Sequence, residues 1–122
     1  MTRPLLVVDD DADLREALQD VLRDAGYEVL TAANGRHALE LLARTPTPPR
    51  LVLLDMMMPV LDGAGFLREL HAQPGGREIP VVVFSASAGA REESEALGAQ
   101  AYLRKPVDVD TLLATVEKYA KA

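Results

Sequence analysis

Asp55 closes an apolar run, Leu51-Val52-Leu53-Leu54, and is followed by Met56-Met57-Met58-Pro59. A run of this kind reads as a buried parallel strand with a carboxylate at its carboxyl end, where open α/β sheets bind ligands. Two further strand-like segments end in reactive side chains. Leu5-Leu6-Val7-Val8 leads into Asp9-Asp10-Asp11, and Val81-Val82-Val83-Phe84 leads into Ser85. Tyr102-Leu103-Arg104 is followed at once by Lys105-Pro106. Parallel strands in one sheet would gather these acids, a hydroxyl and an ammonium on a single edge. Such a set suits a divalent cation beside a phosphoryl group.

The elements that must position these residues alternate between strand and helix patterns. After the first strand, Leu14, Ala17, Leu18, Val21, Leu22 and Ala25 recur at helical spacing, with Asp10 or Asp11 as cap and Gly26 as the stop. The second strand is expected over Tyr27–Ala32. Asn34 then caps a helix carrying Ala38, Leu41 and Leu42, which the prolines at 46, 48 and 49 end. Asp62-Gly63 opens a third helix burying Phe66, Leu67 and Leu70, and Gln73-Pro74-Gly75-Gly76 forms a turn. Ile79–Phe84 is expected as the fourth strand and Ala88–Leu97 as a short helix ending at Gly98. Ala101–Arg104 follows as an edge strand. Asp108 caps a last helix, running almost to Ala122, with Leu112, Leu113, Val116 and Tyr119 facing inward. Five β-α units in this order imply a parallel sheet with helices on both faces.

A chain of 122 residues, 48% hydrophobic and 26% charged, fits a single globular domain over 1–122 and argues against disorder. Aromatics are only 4%, so the core must rest on Leu, Val, Ala and Met. A net charge of −6 argues against direct nucleic-acid binding, which needs clustered Lys and Arg. With no cysteine, disulfides and thiolate metal sites are excluded. No apolar stretch approaches the roughly 20 residues of a membrane span, and Met1-Thr2-Arg3-Pro4 runs straight into a strand, so a cytoplasmic location is expected.

The motifs together resemble those of response-regulator receiver domains of two-component signalling. Val8-Asp9-Asp10, Leu54-Asp55-Met56-Met57-Met58-Pro59, Ser85-Ala86 and Lys105-Pro106 carry the resemblance, and Asp62-Gly63, Gly98 and Tyr102 fit the same pattern. An acidic pair after a strand is common by itself; these motifs in this order are specific. The resemblance spans essentially the whole chain. It implies a flavodoxin-like, doubly wound sheet of order 2-1-3-4-5 with five helices, in three layers.

The same resemblance implies the role of each residue. Asp55 would be the phosphoacceptor, taking a phosphoryl group from a phosphohistidine on a sensor histidine kinase or histidine phosphotransfer protein. Asp9, Asp10, Asp55 and the Met57 carbonyl would hold Mg²⁺, with Mn²⁺ a possible substitute. Clustered carboxylates repel one another, and a hard cation that keeps its waters relieves this. Lys105, Ser85 and the amides near Met56 and Ala86 would contact the phosphoryl oxygens. Pro59, Gly63 and Pro106 would shape the loops, with Pro106 after a cis bond that turns Lys105 toward Asp55. Ser85 and Tyr102 would switch a surface of the fourth helix, fifth strand and fifth helix that meets a downstream protein. Met57 and Ser87 occupy the positions that tune hydrolysis. An apolar Met57 cannot orient an attacking water, so slow to moderate self-dephosphorylation is expected.

Several residues carry blander readings. Asp11 is better placed as a helix cap than as a ligand. Arg104 reads as a surface residue. His37 and His71 lack a second ligand at metal spacing and read as surface groups, His71 favourably placed at a helix end. Three rival functions fit less well. A phosphohydrolase with an aspartyl-phosphate intermediate would carry an acid where Met57 stands, and a cap domain. A receiver-like module that is never phosphorylated would lack one of the acids or the lysine. A flavin carrier would need Gly, Ser or Thr in the acidic first loop.

Overall fold

The computed structural model describes residues 3–120. Strands β1 (Leu5–Val8), β2 (Val29–Ala32), β3 (Leu51–Asp55), β4 (Val81–Ser85) and β5 (Ala101–Arg104) form one parallel sheet. Its order is β2-β1-β3-β4-β5. Helices α1 (Ala12–Asp24), α2 (Gly35–Arg44), α3 (Gly63–Ala72), α4 (Ala90–Ala96) and α5 (Val109–Tyr119) connect and follow the strands. The expected doubly wound fold is therefore present, with the expected strand order.

Alternation along each strand divides the core into two apolar clusters, one on each face of the sheet. Leu6, Val8, Val52, Leu54, Val81 and Val83 pack with Ala38 and Leu39 of α2, with Phe66, Leu67 and Leu70 of α3, and with Ala90 of α4. Leu5, Val7, Leu51, Leu53, Val82 and Phe84 pack with Leu18 and Leu22 of α1 and with Leu112 and Val116 of α5. Strands β1, β3 and β4 are covered on both sides, which explains their uninterrupted Leu and Val runs. Burying each large side chain contributes about 1.5–3 kcal/mol, so this sheet is a rigid base for its carboxyl edge.

Local chemistry sets the helix starts. Asp11 Oδ1 accepts from the Asp13 and Leu14 amides at 3.0 and 3.2 Å, capping α1. Asn34 accepts from the His37 amide at 2.8 Å, Asp62 from the Gly65 amide at 2.8 Å and Asp108 from the Thr111 amide at 2.8 Å. Each of these caps was legible as a short polar residue ahead of an apolar period.

The differences from expectation lie at element ends. Strand β2 starts at Val29, not Tyr27, because the Tyr27 amide closes α1 on the Leu22 carbonyl at 3.1 Å. Strand β4 starts at Val81, not Ile79, and extends to Ser85. The Ile79 amide bonds the Gly76 carbonyl, finishing a 3-10 turn over Gly76–Glu78, and Pro80 has no N–H. Helix α4 starts at Ala90 because Gly89 stands at φ 83°, outside helical space. Ala17 and Ala25, expected inside, are exposed, while Leu39 supplies the buried contact of α2 and leaves Leu41 and Leu42 half-buried. Leu113 and Tyr119 of α5 are likewise only partly buried. Helix α5 ends at Tyr119, and the last two residues of its expected extension lie outside the described residues.

Candidate functional site

At the carboxyl edge of the sheet the ends of β1, β3 and β5 bring four ionisable side chains together, and the end of β4 adds the Ser85 hydroxyl. Asp9 follows β1 directly, held by its amide on the Ala32 carbonyl at 3.1 Å. Its side chain is wholly buried, with Oδ1 accepting from the Asp11 amide at 2.8 Å and Oδ2 from Lys105 Nζ at 2.8 Å. Asp55 ends β3 and is also buried, with Oδ1 accepting from the Met57 amide at 3.2 Å. Asp10 is exposed beside them, and carboxylate oxygens of Asp9, Asp10 and Asp55 lie within 4.8 Å of one another. Asp11 turns away to cap α1, as its blander reading required.

Lys105 reaches this cluster from the end of β5. The Lys105–Pro106 bond is cis, and the Lys105 amide donates to the Ser85 carbonyl at 3.1 Å. Its ammonium stands 2.8 Å from Asp9 and 3.6 Å from Asp55, and 4.8 Å from the centre of the Phe84 ring. The expectation that it reaches toward Asp55 holds, but its shorter bond is to Asp9. Asp9 offers the deeper carboxylate with an oxygen left over after the Asp11 amide bond.

Burial pushes the Asp55 carboxyl above the ordinary carboxylate range. The Met57 amide opposes this, Asp9 adds to it, Lys105 opposes it, and Asp10 adds again. One ammonium thus faces three acids, an arrangement short of positive charge.

The remaining site residues surround this pocket. Ser85 is buried, and its hydroxyl accepts from the Ser87 amide at 3.1 Å. Ala86 is exposed at the start of the following loop. Tyr102 donates its hydroxyl to the Ser85 carbonyl at 3.0 Å, so it is tied to β4 and not left in water. Arg104 is exposed at the edge of the sheet. Met56 packs inward at 3% exposure, whereas Met57 is 65% exposed. Pro59 is exposed in the same loop, and Gly63 is buried where a Cβ would stand 2.6 Å from the Asp55 carbonyl oxygen. Only a glycine lets α3 begin so close to the end of β3.

The two histidines lie away from this site, as expected, each half-buried at the surface and engaged with its neighbours. His37 is half-buried and its Nδ1 accepts from the Ala33 amide at 3.3 Å. His71 is half-buried in a cleft with Arg68, Arg77, Leu97 and Gly98. Burial, reinforced by Arg77, lowers its pKa against the opposing Leu97 carbonyl, which disfavours a positive charge at the end of α3.

Sequence reasoning missed Arg15. Its Nη1 donates to the Asp9 carbonyl at 2.7 Å, pinning the loop that presents the acids. The only signal available was its helical spacing from Asp11, which places it on the turn facing that loop.

A five-stranded doubly wound sheet thus presents an acid cluster and a lysine at its carboxyl edge, a donor set suited to a divalent cation beside a phosphoryl group. The family description "Response regulator receiver domain" matches residues 5–117, and the chain belongs to that family. Sporulation initiation phosphotransferase F of Bacillus subtilis is 34% identical over 119 residues, covering 98% of this chain and 94% of that protein. Response regulator MprA of Mycolicibacterium vanbaalenii is 42% identical over 112 residues, covering 90% of this chain but 47% of that protein. The solved structure of the chemotaxis response regulator CheY4 of Vibrio cholerae superposes with a TM-score of 0.88 at 31% identity, covering 98% and 99% of the two chains. The chain is thus a receiver domain of two-component signalling, a phosphoacceptor family and not an enzyme of the ordinary kind. Among the described residues no helix is long and apolar enough to cross a membrane.

Proposed function

We propose that residues 1–122 act as one receiver domain in which Asp55 accepts a phosphoryl group from a phosphohistidine on a sensor kinase or phosphotransfer protein. The observation that carries this reading is the convergence of Asp9, Asp10, Asp55 and Lys105 from three strand ends into one pocket. In the reaction an Asp55 oxygen attacks phosphorus, the P–N bond to histidine breaks, and the imidazole leaves with the bonding pair.

The donor set fits Mg²⁺ on this structure's own terms. Three carboxylates are held close against their repulsion, one of them with a raised pKa, and only oxygen ligands are offered. Asp9, Asp10, Asp55 and the Met57 carbonyl are the residues that would hold it, with Mn²⁺ as a substitute. Bound there, the ion would neutralise charge on the phosphoryl oxygens. Lys105, already 3.6 Å from Asp55, would follow the carboxylate into its phosphorylated form. The Ser85 hydroxyl and the Met56 and Ala86 amides would take the other oxygens. Charge spreads over these oxygens in the transition state, so fixed donors stabilise it without reorganising.

The output is a shift between two arrangements of the Ser85 loop. Ser85, whose hydroxyl accepts from the Ser87 amide, would donate its proton to a phosphoryl oxygen, and Tyr102, anchored on the Ser85 carbonyl, would follow the loop. A groove of about 450 Å³ lined by Ser87, Gly89, Arg91, Tyr102 and Arg104 lies on the face where an effector protein would read that shift. An apolar cavity of about 380 Å³ lined by Leu14, Leu18, Phe84, Pro106 and Val107 adjoins Lys105 and suits the apolar flank of a donor helix. This reading needs neither nucleic acid nor a membrane, and we place the domain in the cytoplasm.

The test is incubation with Mg²⁺ and a small phosphodonor, followed by intact mass. Wild type gains one phosphate and Asp55→Asn gains none. An equal gain in the variant would end the assignment of Asp55. A pull-down with and without beryllofluoride then separates a switched surface from a passive relay.

A further inference from the structure

Oxidisable sulfur is distributed unevenly in this chain. It has no cysteine and four methionines. Met1 lies outside the described residues, and Met56 and Met58 are 3% and 9% exposed, both packed into the core on the α3 face. Met57, between them, is 65% exposed and belongs to neither core cluster. Its amide donates to Asp55 Oδ1 at 3.2 Å. The one open thioether among the described residues therefore sits on the residue that brackets the acceptor carboxylate. Val60 on the same loop is 80% exposed, so residues 57–60 present an apolar rim with no side-chain oxygen or nitrogen.

We propose that Met57 is a site of oxidation by peroxides, and that its sulfoxide shortens the life of the phosphoryl group on Asp55. The second half rests on the reading of Asp55 as phosphoacceptor. In the oxidation, a sulfur lone pair attacks the peroxide and the O–O bond breaks. One oxygen becomes the sulfoxide oxygen, and with hydrogen peroxide the other leaves as water. Susceptibility follows exposure, and no thiol is present in the chain to intercept the oxidant. Because the side chain lies outside the core, the change alters the mouth of the pocket without opening the fold. A flexible apolar group becomes a strong hydrogen-bond acceptor beside the phosphorylated carboxylate. Water bound to the sulfoxide oxygen is then oriented toward phosphorus. It attacks, the P–O bond to Asp55 breaks, the carboxylate leaves with the bonding pair, and the water's proton departs with inorganic phosphate.

The experiment treats the protein with hydrogen peroxide, locates the added oxygen by fragment-ion sequencing, and follows loss of phosphate after labelling with a small phosphodonor. Wild type should take its first oxygen at Met57 and then lose phosphate at least threefold faster. The half-life of Met57→Leu, whatever its starting value, should not respond to peroxide. Met57→Gln, which places a fixed amide there, should be fast without oxidant. First oxidation at Met56 or Met58 would overturn the inference. So would an unchanged half-life in oxidised wild type, or an equal acceleration in Met57→Leu. Failure of untreated wild type to take up phosphate would overturn the Asp55 reading and the lifetime claim with it. A labelled wild type indifferent to peroxide overturns the inference alone.

Discussion

Replacing Asp55 with asparagine should stabilise the protein at neutral pH in the absence of divalent cations, although it abolishes the proposed chemistry. Asp55 sits no more than 4.8 Å from oxygens of two other acids and 3.6 Å from one ammonium. At an effective dielectric of about 20, each repulsion costs about 3–4 kcal/mol and the attraction returns about 4–5 kcal/mol. Two repulsions outweigh one attraction, and solvent around exposed Asp10 reduces the surplus to about 1–2 kcal/mol. Asparagine keeps an oxygen for the Met57 amide, and its own N–H groups face the remaining carboxylates. At about 4 °C per kcal/mol for a domain of this size, the melting temperature should rise by about 4–8 °C. The gain must also depend on pH. The folded state raises the Asp55 pKa, so wild type loses stability as pH rises from the ordinary aspartate value through the raised one. The variant has no such loss, so its advantage is absent below that window and complete above it. Calorimetry across this range, with chelator, measures the difference. A variant no more stable than wild type at neutral pH, or equally advantaged in acid, would refute the reasoning.

Gly63→Ala should destabilise by about 2–3 kcal/mol, as in other overpacked sites, since the new methyl meets backbone at 2.6 and 2.7 Å from Asp55 and Met56. Urea unfolding would report it, and labelling by a small phosphodonor should slow because β3 must give way. Val60→Gly should raise stability by about 1 kcal/mol, because a β-branched residue at φ 70° is strained and glycine is not. A lower denaturation midpoint would contradict that. Arg15→Gln should slow labelling by a small phosphodonor several-fold and weaken Mg²⁺ binding by titration calorimetry, because the Asp9 carbonyl loses its 2.7 Å clamp.

Much of this molecule was legible in its residues because the signals were redundant. The Leu and Val runs of β1, β3 and β4 have one stable placement, between two layers of helices, and the acids follow them immediately. Helix starts were marked by Asp11, Asn34, Asp62 and Asp108, all of which cap. Element ends were less legible, because they depend on which carbonyl a given amide finds. Tyr27 and Ile79 have strand-forming side chains, yet their amides close helical turns. The contacts of the two histidines were illegible for a different reason. Their types said nothing of the clefts that neighbouring helices build around them. Arg15 was invisible because an arginine on an amphipathic helix is ordinary until its reach to a particular carbonyl is known.

The loop after β3 returns to its own origin: the Gly63 amide meets the Met56 carbonyl at 3.1 Å, and Leu61 is stitched to α2 through the Gly35 amide at 3.0 Å. What hangs between these stitches is a collar around a fixed socket. The side chains of Met57 and Val60 stand out from it at 65% and 80% exposure, so they can be exchanged while buried Met58 and the carboxylate below keep their places. On the proposed function, substitutions at those two outward positions would reset the duration of a signal without disturbing the groups that carry the chemistry.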